Sequence, residues 1–137
     1  MRLALLPLSL LLLVLGGCQP APAPRCAAGT EPWDRIELFF GREIPGGGTV
    51  SEEDWQAYVQ EVLSPAFPDG LTVLEGQGRW LSPTGEHFVE NSFVVYIYLL
   101  ADSTENRRVD DVTAVYKQRF KQETVLYTHS GACLAFK

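Results

Sequence analysis

The chain has 137 residues, of which 46% are hydrophobic, and this suits one domain with a modest core. Its 17 acidic residues outnumber its 11 basic residues, so it lacks the basic clusters that bind nucleic acid or anionic lipid headgroups. His87 and His129 do not stand at the spacing of metal ligands, and no glycine-rich nucleotide motif is present. We therefore expect no nucleic acid, no metal and no cofactor.

The first residues have the pattern of a bacterial lipoprotein signal. Arg2 gives a positive start, and the apolar run over residues 3–15 is too short for the ~20 residues of a membrane-spanning helix. The run ends in Leu15-Gly16-Gly17-Cys18, which resembles a lipobox, where small residues let a peptidase cut before a lipidated cysteine. The pattern predicts a signal peptide over residues 1–17 and lipid on Cys18. The alternative is an ordinary secretory signal with a chance cysteine.

The residues after Cys18 predict the membrane to which the protein is sorted and a tether. Gln19 is not the aspartate that retains some lipoproteins in the inner membrane, so we expect an acylated protein on the outer membrane, facing the periplasm. Residues 18–32 are rich in proline and alanine, which favours an extended tether, and residues 33–137 are the predicted domain. Cys26 and Cys133 then remain as a pair in an oxidising compartment, where we expect a disulfide. Two unpaired thiols are the alternative.

The first half of the domain predicts a strand followed by a helix. Residues 35–41 form the strand candidate, and the glycine-rich residues 42–49 must be a loop. Ser51 is placed to cap a helix. Its apolar residues recur on one helical face, at Trp55, Tyr58, Val59, Val62 and Leu63.

The second half predicts two strands, a helix and a last strand. Residues 71–81 and 88–100 flank a turn, a helix opens at Asp102 or Ser103, and residues 123–129 form a strand that residues 133–136 extend. The order β-α-β-β-α-β is that of an α+β ferredoxin-like sandwich, with two helices on one face of a four-stranded antiparallel sheet.

Several short motifs spread over residues 33–130 resemble one known family. They include Leu38-Phe39-Phe40-Gly41-Arg42, Phe67-Pro68-Asp69-Gly70-Leu71, Gly76-Gln77-Gly78-Arg79-Trp80 and the segment from Tyr116 to Phe120. Together they resemble the bacterial exported proteins catalogued as domain of unknown function 3574. Ala66 departs from the family pattern, in which we expect arginine. The resemblance implies an envelope domain and brings no chemistry with it.

The polar or amphipathic members of these motifs are the candidates for contact with a ligand or partner: Arg42, Asp69, Gln77, Trp80 and Arg119. Glycines 76 and 78 inside a strand indicate a bulge or the close approach of another backbone. We expect Trp80 to pack on the sheet, and contact with a ligand or partner is its alternative. Acidic residues on the strands and turn, namely Glu75, Glu86 and Glu90, are expected in solvent. No catalytic set is present, since there is no nucleophile elbow and the cysteines are otherwise assigned.

Three functions are compatible with these features. The first is a binding or structural module, tethered by lipid at Cys18, that meets an envelope protein or a small ligand through one face or edge of its sheet. The second is a periplasmic small-molecule enzyme with a cleft near Arg42, Asp69, Gln77 and Arg119. The third is a passive surface lipoprotein without a dedicated ligand. The absence of a catalytic set favours the first.

Overall fold

Four strands form one antiparallel sheet in a computed structural model, which describes residues 26–100 and 105–137. The strands are β1 (Glu31–Gly41), β2 (Thr72–Leu81), β3 (His87–Leu99) and β4 (Leu126–Leu134). They lie in the order β2-β3-β1-β4, so that β1 pairs with both β3 and β4. The predicted ferredoxin-like arrangement is confirmed.

The helices pack on one face of this sheet, as predicted. The first helical segment comprises α1 (Glu52–Tyr58), a π-helical turn (Val59–Leu63) and α2 (Ser64–Ala66), and the second is α3 (Glu105–Phe120). Ser51 caps α1, since its hydroxyl accepts a hydrogen bond from the amide of Asp54 at 3.1 Å. The predicted start of the second helix at Asp102 or Ser103 falls outside the described residues.

Side chains of alternate strand residues make the core against these helices. Ile36, Leu38 and Phe40 of β1 are fully buried beneath the helices, because every second residue of a strand faces the same side. The other large buried residues include Trp55, Tyr58, Leu63, Phe67, Phe93, Val95, Ile97, Val112 and Tyr116. The opposite face of the sheet carries no helix among the described residues, and it is called the open face below.

Two buried tyrosines link the helices to each other and to the sheet. The Tyr58 hydroxyl donates to the carbonyl of Val112 at 2.8 Å, and the Tyr116 hydroxyl donates to the carbonyl of Gly41 at 2.9 Å. Burial raises the pKa of both phenols well above their ordinary value of 10.0. Both tyrosines therefore stay neutral in the folded protein after the unfolded chain has begun to ionise.

This difference predicts alkaline destabilisation. Because the unfolded chain loses these protons first, stability is complete below pH 10 and falls above it, by up to about 1.4 kcal/mol per pH unit for each tyrosine. Urea unfolding at pH 8, 9, 10 and 11 measures how steeply the free energy of unfolding falls with pH. The double variant Y58F/Y116F should show a smaller fall above pH 10. An unchanged fall in the double variant would show that other groups cause the loss of stability.

The fold begins earlier along the chain than the sequence indicates. Residues 31 and 32, assigned above to the tether, already belong to β1 and pair with Leu134 and Cys133 of β4. Pro32 is tolerated because the pairing of β1 with β3 starts only at Asp34, so the missing N–H of proline costs no bond on that side. The predicted boundary at residue 33 is therefore too late.

A disulfide joins Cys26 to Cys133, which confirms the predicted pair. The two Cα atoms are 5.5 Å apart, and 107 positions separate the residues in sequence. The bond fastens the segment before β1 to the end of β4. The pairing of β4 with residues 31–39 of β1 is continuous, so β4 runs unbroken through residues that the sequence divides into two pieces.

Candidate functional site

A groove of about 380 Å³ lies on the open face, at the end of the sheet opposite the disulfide. Gly41 ends β1 at this groove, whereas Cys133 lies opposite Pro32 near the start of β1. β1 and β3 supply the floor, and β2 and β4 supply residues on either side. The lining residues are Phe39, Gly41, Glu43, Pro45, Gly78, Trp80, Glu90, Ser92, Gln122, Glu123, Thr124 and Leu126. Its volume falls in the range of small-ligand sites.

Glycines make room for a carboxylate in the floor of the groove. A Cβ atom at position 41 would collide with the carboxylate of Glu90, so only glycine lets that side chain lie across β1. Gly78 is the partner of Glu90 in the β2–β3 pair and adds no side chain to the wall. Glu90 is consequently half-buried and borders the groove, although the sequence predicts a solvated residue.

An aromatic ring forms the wall beside this carboxylate. Trp80 stacks on Phe88 with ring centroids 4.2 Å apart and planes 10° from parallel. Its side chain nevertheless remains 52% exposed and lines the groove. Trp80 thus packs on the sheet, as one of its two readings expects, and also presents an indole surface to the groove.

The groove is acidic. Three of its lining residues are glutamates, Glu43, Glu90 and Glu123, and none is lysine, arginine or histidine. The loops that carry Glu43 and Glu123 are tied together, because the Gln122 side-chain amide donates to the Glu43 carbonyl at 2.7 Å. In the described part of the chain, no three histidine, cysteine or acidic residues stand close enough to hold a metal. The negative charge of the lining favours a positively charged ligand.

A tight loop holds the rim near Glu43 in place. Glycines 46, 47 and 48 all have positive φ, between +94° and +115°, which side-chain-bearing residues rarely adopt. Two backbone hydrogen bonds join Ile44 to the glycine turn, and residues 43 and 49 form a β-bridge. The glycine run that the sequence marks as a plain loop is therefore a defined turn beside the groove.

The candidate residues from the sequence lie in several places. Trp80 lines the groove, whereas Arg42 extends away from it and lies over the ring of Phe93, 4.5 Å from the centroid. The Arg42 guanidinium also donates two hydrogen bonds to the Val50 carbonyl, at 3.0 and 3.1 Å. This arginine closes the loop between β1 and α1.

The other three candidates have separate neighbours. Gln77 hydrogen-bonds to Asn91 and accepts a bond from Arg79, on the exposed end of the β2–β3 hairpin. Arg119 forms an ion pair with Glu61 at 2.9 Å. Asp69 borders a different groove, near the start of β2. Arg42, Gln77 and Arg119 line none of the grooves described here, so the expected cleft around these residues is not seen in the described chain.

Gly76 and Gly78 in β2 do not form the bulge that is one of the two predictions made for them. The pairing of β2 with β3 continues without interruption past glycines 76 and 78, so the predicted bulge is wrong. A Cβ atom on Gly76 would lie 3.1 Å from a methyl group of Val94. The close approach is therefore that of a neighbouring side chain on the open face.

The two loop glutamates were not among the sequence candidates. Glu43, Glu90 and Glu123 come from three distant parts of the chain, and only the register of the sheet brings them to one groove. The available signal was indirect. A glycine that ends β1 and a glycine opposite Glu90 leave space on one face, but this requires the register to be known.

Comparisons with known proteins place the fold. The family model described as "Protein of unknown function (DUF3574)" matches residues 35–136. No curated protein matches the sequence. A phage SAM lyase in complex with S-methyl-5'-thioadenosine is 16% identical, with a TM-score of 0.55 over 82% of this chain and 95% of that chain. Its apo form is 18% identical, with a TM-score of 0.53 over 84% and 97%.

A further solved structure has a lower score. The periplasmic divalent cation tolerance protein CutA from Archaeoglobus fulgidus is 9% identical, with a TM-score of 0.46 over 72% of this chain and 81% of that chain. At these identities the two SAM lyase structures show a shared fold. Within residues 26–100 and 105–137, no helix is long and apolar enough to cross a membrane.

Proposed function

We propose that the domain of this chain, which belongs to the family described as Protein of unknown function (DUF3574), is a ligand-binding module of the bacterial cell envelope. Its ligand is a small organic cation with a flat apolar part, held in the groove beside Trp80. The observation that carries the proposal is the lining of this groove, which contains three glutamates and an exposed indole and no basic residue.

The chemistry of the Trp80 ring and of the Glu90 carboxylate favours a cation as the ligand. The face of an indole attracts a positive charge by about 0.5–2 kcal/mol, depending on how much water is removed. Glu90, half-buried over Gly41, adds a negative charge where solvent screens it incompletely. Phosphate and carboxylate ligands would be repelled by the same glutamates, so the charge of the groove excludes anions of any shape.

Affinity measurements on the full chain in nanodiscs test this proposal, with benzyltrimethylammonium as the probe. We expect E90Q and W80A each to weaken binding about tenfold, which corresponds to about 1.4 kcal/mol. E75Q is the matched control, because Glu75 lies on the same hairpin as Trp80 but on the other face of the sheet. Successive strand residues face opposite sides, and Glu75 is opposite the core residue Phe93. Affinity should also fall as salt is added.

Two outcomes would contradict the cation site. Benzoate, which carries the opposite charge on a similar ring, should not bind, and equal binding of benzoate would remove the argument from charge. Equal effects of E90Q and E75Q would show that the groove is not where the probe binds.

An enzyme is the second candidate, and the fold shared with a phage SAM lyase is the observation that favours it. A shared fold carries little information about activity. The case for an enzyme therefore depends on Glu90, a carboxylate that borders the groove. Incubation with SAM, followed by chromatography for S-methyl-5'-thioadenosine, tests this candidate. Release of S-methyl-5'-thioadenosine by the wild type but not by E90Q would make the groove an active site. Binding of SAM without this release supports the ligand-binding module.

The attachment of the domain follows from the lipobox. We expect acyl chains on Cys18 of the mature protein, because the small residues, the cysteine and the end of the apolar run coincide. Two or more chains hold a protein stably on a membrane. The mature chain is acidic, so its attachment depends on lipid rather than on charge. Acyl mass on a chain that starts at Cys18 is the expected result of intact mass spectrometry on the detergent-extracted protein.

A further inference from the structure

An apolar patch lies at the end of the sheet that carries the disulfide. Trp33 of β1 meets Phe136 edge to face, with ring centroids 6.2 Å apart, and Phe136 is 88% exposed. Leu134 lies with these two rings along two adjoining grooves. Trp33, Leu134 and Phe136 are called the tether-end patch below.

The disulfide fixes the point at which the chain enters the domain. Cys26 is bonded to Cys133, which lies opposite Pro32 in the sheet, and Phe136 follows three residues later. The entry point is thus next to the tether-end patch. Without the disulfide, the nearest fixed point of the chain would be the start of β1 at Glu31.

The length of the chain before Cys26 keeps this end near the lipid. Seven residues separate Cys18 from Cys26, and a fully extended chain covers at most ~3.6 Å per residue, so the two cysteines are at most about 30 Å apart. β3, with 13 residues at ~3.3 Å each, is about 40 Å long. The tether can bring the disulfide end to the membrane while the groove beside Trp80 stays far from it.

The chemistry of the patch suits a headgroup layer. Tryptophan concentrates at membrane–water interfaces because its ring is apolar and its N–H is polar, and an exposed phenylalanine gains by leaving water. Glu31 and Asp69 border the two grooves and no lysine, arginine or histidine lines them, so their charge does not attract anionic lipid. Contact with the surface must therefore be apolar and independent of salt.

We propose that the tether-end patch rests in the phospholipid headgroup layer of the membrane that carries the lipidated Cys18. The groove beside Trp80 then opens away from the membrane into the surrounding compartment, where a soluble ligand reaches it. This orientation rests on the lipid anchor proposed above. It does not depend on which cation the groove binds.

Tryptophan quenching in vesicles tests the orientation. The full lipidated chain is reconstituted into phosphatidylcholine vesicles, with acyl chains that are plain or brominated near the headgroup. We expect bromine to lower the fluorescence of the wild type by no more than about a third, since one of three tryptophans is in reach. W33F should abolish this quenching and W80F should retain it. F136S should reduce it at least about twofold, at low and high salt alike.

The outcomes separate the orientation from the anchor. Protein that carries acyl mass on Cys18 and floats with the vesicles, yet shows no quenching that depends on Trp33, overturns the orientation alone. Quenching that W80F abolishes would place the groove on the membrane and overturns it as well. Protein without acyl mass on Cys18 overturns the anchor and the orientation together.

Discussion

Serine at both Cys26 and Cys133 is expected to lower the free energy of unfolding by about 4–5 kcal/mol. The bond closes a loop spanning 107 positions, and a cross-link over so long a loop removes much of the conformational freedom of the unfolded chain. Urea unfolding of the oxidised wild type and of the double variant measures the loss. The slope of the unfolding free energy against urea should also rise, because the released chain exposes more surface when it unfolds.

The single variants provide the control for this result. C26S and C133S each remove the same bond, so each should lose as much as the double variant, within about 0.5 kcal/mol. Additive losses would mean that the two side chains contribute by separate packing. A loss below about 1 kcal/mol in the double variant, with the bond of the wild type verified by its mass, would contradict the stabilising role of the disulfide.

Replacement of Trp55 by alanine is expected to cost about 3–5 kcal/mol. Its indole is fully buried, stacks on Phe93 with centroids 4.2 Å apart and planes 6° from parallel, and contacts Phe40 and Tyr58. Removal of the ring leaves a cavity between the sheet and α1, and the loss of the aromatic pair adds to that of the buried area. Chemical denaturation under reversible conditions measures the loss.

Phenylalanine at position 55 separates the ring from its polar atom. The indole nitrogen of Trp55 is buried and has no hydrogen-bond partner in the described part of the chain, so its removal relieves a cost that opposes the packing. W55F should therefore lose less than half as much as W55A. W80A is the control on a half-exposed tryptophan and should cost less than about 1 kcal/mol. Equal losses for W55A and W80A would contradict the assignment of Trp55 to the core.

Patterns within single elements were enough to predict much of this fold. Helical spacing at Trp55, Tyr58 and Leu63 marks residues that the structure buries, and turn residues between the two middle strands mark the hairpin. These patterns depend on local periodicity, which a sequence displays directly. The order of elements then selects the sheet arrangement, because few layouts join them with short, right-handed connections.

Features that depend on pairing between distant strands were predicted less well. Pro32 reads as part of a tether until its pairing with Cys133 is known. Arg42 and Arg119 look like ligand contacts because they are charged members of conspicuous motifs, yet one closes a loop and the other pairs with Glu61. The groove was missed for the same reason, since its carboxylates converge only through the strand register.

Spectra of the ¹⁵N-labelled protein during titration with benzyltrimethylammonium test whether the groove beside Trp80 binds an organic cation. The three tryptophans give three indole signals that report on the tether-end patch, the core and the groove, through Trp33, Trp55 and Trp80 respectively. We expect the Trp80 indole signal and the amide signals of Gly78 and Glu90 to move together and saturate, while the Trp33 signal stays in place. Movement of the Trp33 signal without that of Trp80, or no saturable movement at all, would contradict a cation site in the groove.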